Sequence, residues 1–342
     1  MTATASQPTD PLDSYRGFLL HVLGHSPRTA DRYESTLRQV AGHLPTGDLL
    51  AASDAQLKQV FVMGAWARGL TPRTRRAALG AVAGFYGFAV EDGLLDRSPA
   101  TSLRGLQRRL PSSTAKLPTY LTVPEVQRLL DALGSSGGVP RLHGTRDQAI
   151  CGVMAFAGGR LTETVQGLRV GDVDLKAGEL QFRHLTKRGR QRVVFVSPLL
   201  RPLLAAWLRV REDVPSEHLF VTGRGTPFAK AEEWTHKALH PAAVRAGLQR
   251  VECDLHGRDG CRPGQRGAPG GCNRAGWRVH PHTLRHSFAV ESLRSGACNI
   301  AELRDLLGHT NIATTNIYLQ LVKEPSSGER FKRRFGRKGA SS

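Results

Sequence analysis

The chain has 342 residues, enough for two domains with separate cores, and an ordinary 40% of them are hydrophobic. Its formal net charge of +19 implies a polyanionic partner, nucleic acid ahead of an anionic membrane surface. No apolar run reaches the roughly 18 residues that span a bilayer, residues 1–14 read as no secretory signal, and five cysteines are too few for a disulfide scaffold, so the cytoplasm is the expected location.

From the N-terminus, the first hundred residues read as helices. Ser26-Pro27 caps a segment over 28–43, and Thr71-Pro72 opens another that stops at Asp92-Gly93. Within the second, Leu79, Val82, Phe85, Tyr86 and Ala89 recur at helical spacing, a stripe expected to pack as core rather than stack on bases. Further starts near Pro11 and Ala55 complete a small all-α bundle over residues 10–105. The stretch 97–116, with Pro99, Pro111 and Arg104, Arg108 and Arg109, is basic and irregular. Its end, 106–116, is expected to be an inter-domain linker.

A second domain is expected over 117–325. Thr122 with Glu125 forms a capping box for a helix ending at Leu133, and 146–157 is a largely apolar helix closed by Gly158-Gly159. Strands at 179–184 and 192–196 flank a basic turn, Thr186-Lys-Arg-Gly-Arg190, and helix returns after Pro198 with Leu200, Leu203, Leu204 and Trp207 on one face. Residues 251–279 are rich in Gly and Pro and read as an insertion. Within the 326–342 tail, the run Phe331-Lys-Arg-Arg-Phe-Gly-Arg-Lys338 has five basic residues and no acid. The fold class is mostly α with a small β-sheet (α+β).

The chemistry sits in a few phrases. Arg160 follows the glycine pair, which lets backbone approach a ligand, and a guanidinium fork there suits phosphate. Lys187 lies at the tip of the hairpin. His282 and Arg285, three apart on a helix, share one face, while Leu284 and Phe288 turn to the other. Ile300, Leu303, Leu306 and Leu307 form a buried stripe that Gly308 ends, leaving the His309 imidazole exposed beyond it, and Tyr318 follows nine residues on. Alone, each has a plainer use: a surface Arg paired with Glu163, a solvated basic turn, a half-buried tyrosine. Together, two guanidiniums can hold a phosphate, imidazoles and an ammonium can move protons, and a phenol can attack phosphorus.

The set resembles the tyrosine recombinase, or phage integrase, family. The matching stretches are Gly158-Gly-Arg-Leu-Thr-Glu163, Thr186-Lys-Arg-Gly-Arg-Gln-Arg192, His282-Thr-Leu-Arg-His-Ser-Phe288, and Leu306-Leu-Gly-His-Thr-Asn311 through Tyr318. Upstream, Gly69-Leu-Thr-Pro-Arg-Thr74, Ser98-Pro-Ala100 and Lys116-Leu-Pro-Thr-Tyr-Leu-Thr122 resemble the core-binding domain and junction of Xer-type enzymes, so the likeness covers about residues 12–322. It implies a helical core-binding domain followed by an integrase-type catalytic domain, working on double-stranded DNA as a homotetramer. Tyr318 would attack the scissile phosphate to give a 3′-phosphotyrosyl link and a 5′-hydroxyl. Arg160 and Arg285 would neutralise the transition state, and His309 would bond a non-bridging oxygen. Lys187 would protonate the leaving 5′-oxygen, His282 would help take the tyrosine proton, and Glu163 would orient its neighbours. One phosphoester replaces another, so no cofactor is required. Phosphate contacts are expected from Arg28, Arg73, Arg75, Arg76, Arg104, Arg188, Arg190 and Arg192.

Two features depart from the family pattern. Arg190 stands where many relatives have a second lysine. The insertion has no counterpart; its Cys253, His256, Cys261 and Cys272 offer four ligands for a structural zinc, although irregular spacing and many glycines also suit a basic loop. Two other functions use the same residues: relaxation of supercoils, as by a type IB topoisomerase, and DNA binding without cleavage.

Overall fold

The computed structural model describes residues 10–110, 117–135, 141–184, 191–249 and 278–322. The chain divides between residues 116 and 117 into two units, each with its own core. The first is helical: α1 (Pro11–Gly17), α2 (Pro27–Ala41), α3 (Asp54–Lys58), α4 (Ala65–Arg68), α5 (Pro72–Glu91) and α6 (Leu103–Arg109). Asp10, Ser26 and Thr71 each precede a proline and accept a hydrogen bond from a first-turn amide, which fixes the starts of α1, α2 and α5. The α5 stripe is core. Phe85 and Tyr86 are fully buried, Tyr15 meets Phe85 edge-on at 5.5 Å, and the Tyr86 hydroxyl donates to the Leu49 carbonyl at 2.7 Å.

Part of the stretch expected to be irregular is helix α6. Leu103 and Leu110 are buried and Leu106 packs beside them, a spacing that lays one face of α6 on the first unit's core. Arg75 and Arg76, expected to meet phosphate, are instead half-buried and donate to the Ala67 and Leu110 carbonyls. Arg28 and Arg73 are exposed, and the Arg104 side chain lies outside the described residues.

The second unit is built around α8 (Arg141–Ala157), five residues longer at its start than the apolar pattern suggests. Ala149, Ile150, Cys151, Val153, Met154 and Ala157 are buried around its circumference. A helix apolar all round belongs inside, and α7 (Val123–Gly134), α9 (Arg201–Val210) and α12 (Pro281–Arg294) pack against it. Trp207 of α9 is fully buried and donates to the Leu219 carbonyl at 2.7 Å. The sheet is antiparallel in the order β1 (Val173–Asp174), β2 (Glu179–Phe182), β3 (Arg192–Phe195), with Phe182 paired to Arg192. β1, at two residues, is too short to show an alternation in sequence. α10 (Glu232–Trp234) and α11 (His240–Arg245), for which the sequence reading had no element, precede α12. After α13 (Ile300–Leu307) come two tight helical turns, Ile312–Thr314 and Asn316–Gln320, the second carrying Tyr318.

Lys187, Arg188 and Arg190, the cysteine and histidine set of the expected insertion, and the basic tail all lie outside the described residues. Among the described residues, no helix is long and apolar enough to cross a membrane.

Candidate active site

Two left-handed glycines shape the site. Gly158 ends α8 at φ 64°, and Gly308 ends α13 at φ 62°. A Cβ at Gly158 would lie 2.5 Å from the Phe288 ring, so only glycine lets this turn pass α12. The turns bring their carbonyls to the arginines. Arg285 is buried on α12 and donates to the Gly158 carbonyl at 2.5 Å and to the Leu307 carbonyl at 2.5 Å. Arg160 reaches the Leu307 and Gly308 carbonyls at 3.2 Å each. Two guanidiniums from segments 125 residues apart thus share one carbonyl oxygen.

Glu163 lies beneath them, 1% exposed. It accepts from the Arg160 backbone amide at 3.3 Å, from the Arg160 guanidinium, and from Arg192 at 2.7 Å. Burial pushes its carboxyl up, but Arg192 and Arg160 outweigh that and hold it below the usual carboxylate range. Arg192 was expected to face DNA and does not. Its side chain is buried, ion-paired to Glu163 and stacked 4.1 Å over the Phe182 ring across the strand pair. The alternation of β3 turns Arg192 inward with Val194, leaving Val193 and Phe195 exposed.

His309 is half-buried rather than exposed, because the chain after Gly308 turns back over the site. Its Nε2 lies 3.2 Å from the Arg285 guanidinium and its Nδ1 3.0 Å from the buried Thr315 hydroxyl. Burial, then the charges of Arg285, Arg160 and Arg192, bring the imidazole down to about 4, so it is neutral at pH 7. The same crowding lowers Arg285 to about 9, burial first and then Arg160 and Arg192, and it stays cationic. Among the described residues, three guanidiniums face one carboxylate. The pocket carries net positive charge and is built to take an anion.

Tyr318 is 2% exposed and packs on α12. Its hydroxyl lies 2.8 Å from Nδ1 of His286. Burial raises the phenol above its ordinary value, and Arg285 pulls it back in part. His282, expected to help take its proton, is exposed and stacked on the His286 ring at 6.2 Å between centroids. The structure therefore gathers Arg160, Glu163, Arg285, His309, Tyr318 and, at the margin, His282. Sequence reasoning missed His286 and Thr315. His286 stands one turn beyond His282, a spacing that puts both imidazoles on one helix face.

Residues 119–324 match the phage integrase family. The chain is 30% identical over 327 residues to the tyrosine recombinase XerC of Xanthomonas campestris pv. campestris, covering 94% of this chain and 88% of that protein. It is 26% identical to the tyrosine recombinase XerD of Listeria innocua, covering 92% and 95%. Among solved structures it resembles a lambda integrase dimer bound to a COC' core site, with TM-score 0.60 and 16% identity over 97% of this chain and 79% of that one. It also resembles the Tn1549 transposon integrase in complex with a circular intermediate DNA, with TM-score 0.64 and 13% identity over 94% and 98%.

Proposed function

This chain belongs to the phage integrase family, and from that premise we propose how its site works. The chain is a site-specific recombinase that breaks and rejoins DNA strands. A scissile phosphate enters the cationic pocket and takes the donors that Arg160 and Arg285 give to backbone carbonyls. Forked guanidiniums suit the non-bridging oxygens, and they count most when charge builds on the pentacoordinate phosphorus. Neutral His309, with Nδ1 accepting from the Thr315 hydroxyl and its proton on Nε2, donates to a non-bridging oxygen once the phosphate has drawn the Arg285 guanidinium to itself. Tyr318 attacks phosphorus, leaving a 3′-phosphotyrosyl link; Lys187 supplies the proton to the departing 5′-oxygen. Attack by a different strand's 5′-hydroxyl reverses the step and completes exchange. Glu163 and Arg192 hold Arg160 in place. Because ester replaces ester, the reaction needs neither nucleotide hydrolysis nor metal.

The observation that carries this reading is the shared Leu307 carbonyl, which sets both guanidiniums beside His309. The partner is double-stranded DNA, with four copies on two sites, in the cytoplasm. The test uses supercoiled plasmids with one or two copies of the DNA flanking this chain's gene. Recombinant circles from the two-copy plasmid are expected. Relaxed topoisomers from both plasmids without recombinants would support supercoil relaxation instead, and no covalent product from either would support binding alone.

A further inference from the structure

We infer that His286 is a catalytic residue: its Nδ1 takes the proton of Tyr318 as the phenol attacks phosphorus. The inference rests on the recombinase reading above and names a residue for the proton transfer that the family resemblance gave to His282.

Geometry comes first. The phenolic oxygen is 2.8 Å from Nδ1 of His286, within the reach a general base requires. The contact is enclosed, since Tyr318 is buried and His286 half-buried. His282 stacks on His286 with rings 29° from parallel, and His280 stands edge-on to His282 at 6.3 Å. His282 is exposed, whereas His286 is half-buried against Tyr318. The groups facing His286 are His280, His282 and Arg285 from its own helix, Tyr318 from the last turn, and His309 from beyond α13. No carboxylate is among these, and burial with three cationic or titratable neighbours keeps the His286 ring neutral, with a lone pair to offer, at pH 7.

The step balances. The phenolic O–H bond breaks and its proton passes to Nδ1, while an oxygen electron pair forms the O–P bond. The P–O5′ bond breaks, its pair stays on the 5′-oxygen, and Lys187 protonates that oxygen. On rejoining, His286 returns its proton to the phenol. A phosphate beside the ring favours the protonated imidazole, so DNA itself strengthens this base.

The test measures covalent adduct formation on a nicked duplex from the gene's flanking DNA against pH. His286→Asn keeps an acceptor near the Nδ1 position but cannot carry a proton. It should bind the duplex as the unmodified chain does and form adduct about a hundredfold more slowly or worse. A ring-fluorinated tyrosine in place of Tyr318 ionises without help and should bring the Asn variant to within about tenfold of the same fluorinated chain carrying His286. Equal rates and pH profiles for His286→Asn and the unmodified chain would overturn the inference. So would a faster variant, which would make the contact a restraint on the nucleophile. Should the variant not fold, the unmodified chain still decides: its rate should be level from about pH 7 to about pH 9, whereas a tenfold rise per pH unit there means that the phenol ionises to solvent and His286 is not the base. Absence of any Tyr318 adduct in the unmodified chain is a different result, and it defeats the recombinase reading itself.

Discussion

Arg285 and Arg160 differ in what their loss should do. Either Arg→Ala change removes a fixed donor from the developing charge and should slow adduct formation by about 10²- to 10³-fold, with weaker effects on DNA affinity. Lysine should not rescue Arg285, because that guanidinium spans the Gly158 and Leu307 carbonyls with separate nitrogens, a fork an ammonium cannot reproduce. Equal rates for Arg285→Lys and the unmodified chain on the nicked duplex would contradict this. Arg192 acts at one remove. Replacing it with leucine leaves the buried Glu163 carboxylate with Arg160 alone and should destabilise the fold by about 3–5 kcal/mol, read by urea denaturation. Acid should do something similar to the whole site. His286 and His309 lie near 4 in the folded chain against an ordinary 6.5. Between those values the unfolded chain binds more protons, so their contribution to stability should fall as pH drops through that window, and below it Glu163, held under the usual carboxylate range, should extend the loss. The slope should be shallower in His286→Asn, and an identical slope would remove His286 from the explanation.

At the scale of elements, the site depends on how α8 and α13 end. Gly158→Ala would combine a left-handed backbone with a Cβ only 2.5 Å from the Phe288 ring, and displace the carbonyl that Arg285 holds. A loss of about 2–4 kcal/mol in thermal denaturation, with slower adduct formation, is expected. Both ends were legible in sequence, because a glycine closing an apolar run has a local reason that needs no knowledge of the fold. The helix starts at Pro27, Pro72 and Thr122 were legible for the same reason. What escaped depended on partners distant in sequence. Arg192 reads as one more cation in a basic turn, and only the pairing of β2 with β3 over Phe182 turns it inward. α6 looked irregular among its arginines, although Leu103, Leu106 and Leu110 carried the helical spacing. His286 needed the Asn316–Gln320 turn to bring Tyr318 to it, and nothing near Tyr318 in sequence announces that fold-back.

Over the whole molecule, charge is divided unequally. Residues 1–113 hold 13 Lys and Arg against 9 Asp and Glu, a net +4, which leaves +15 of the total +19 to the remainder. Affinity for duplex DNA should therefore be dominated by phosphate contacts and fall by about 10³- to 10⁵-fold between roughly 50 and 200 mM salt. Arg73→Ala should lower the salt slope by about one, because this side chain is exposed. Arg75→Ala and Arg76→Ala should instead weaken the first unit, since each ties a carbonyl of its own fold. Titrations showing all three with the same salt slope would contradict that division.

The decisive measurement is peptide mapping of the protein trapped on a nicked duplex. A DNA 3′-phosphate joined to Tyr318, and no adduct from a Tyr318→Phe chain that still binds the duplex, is the result expected. DNA joined to any other residue, or an adduct that survives Tyr318→Phe, would contradict the account.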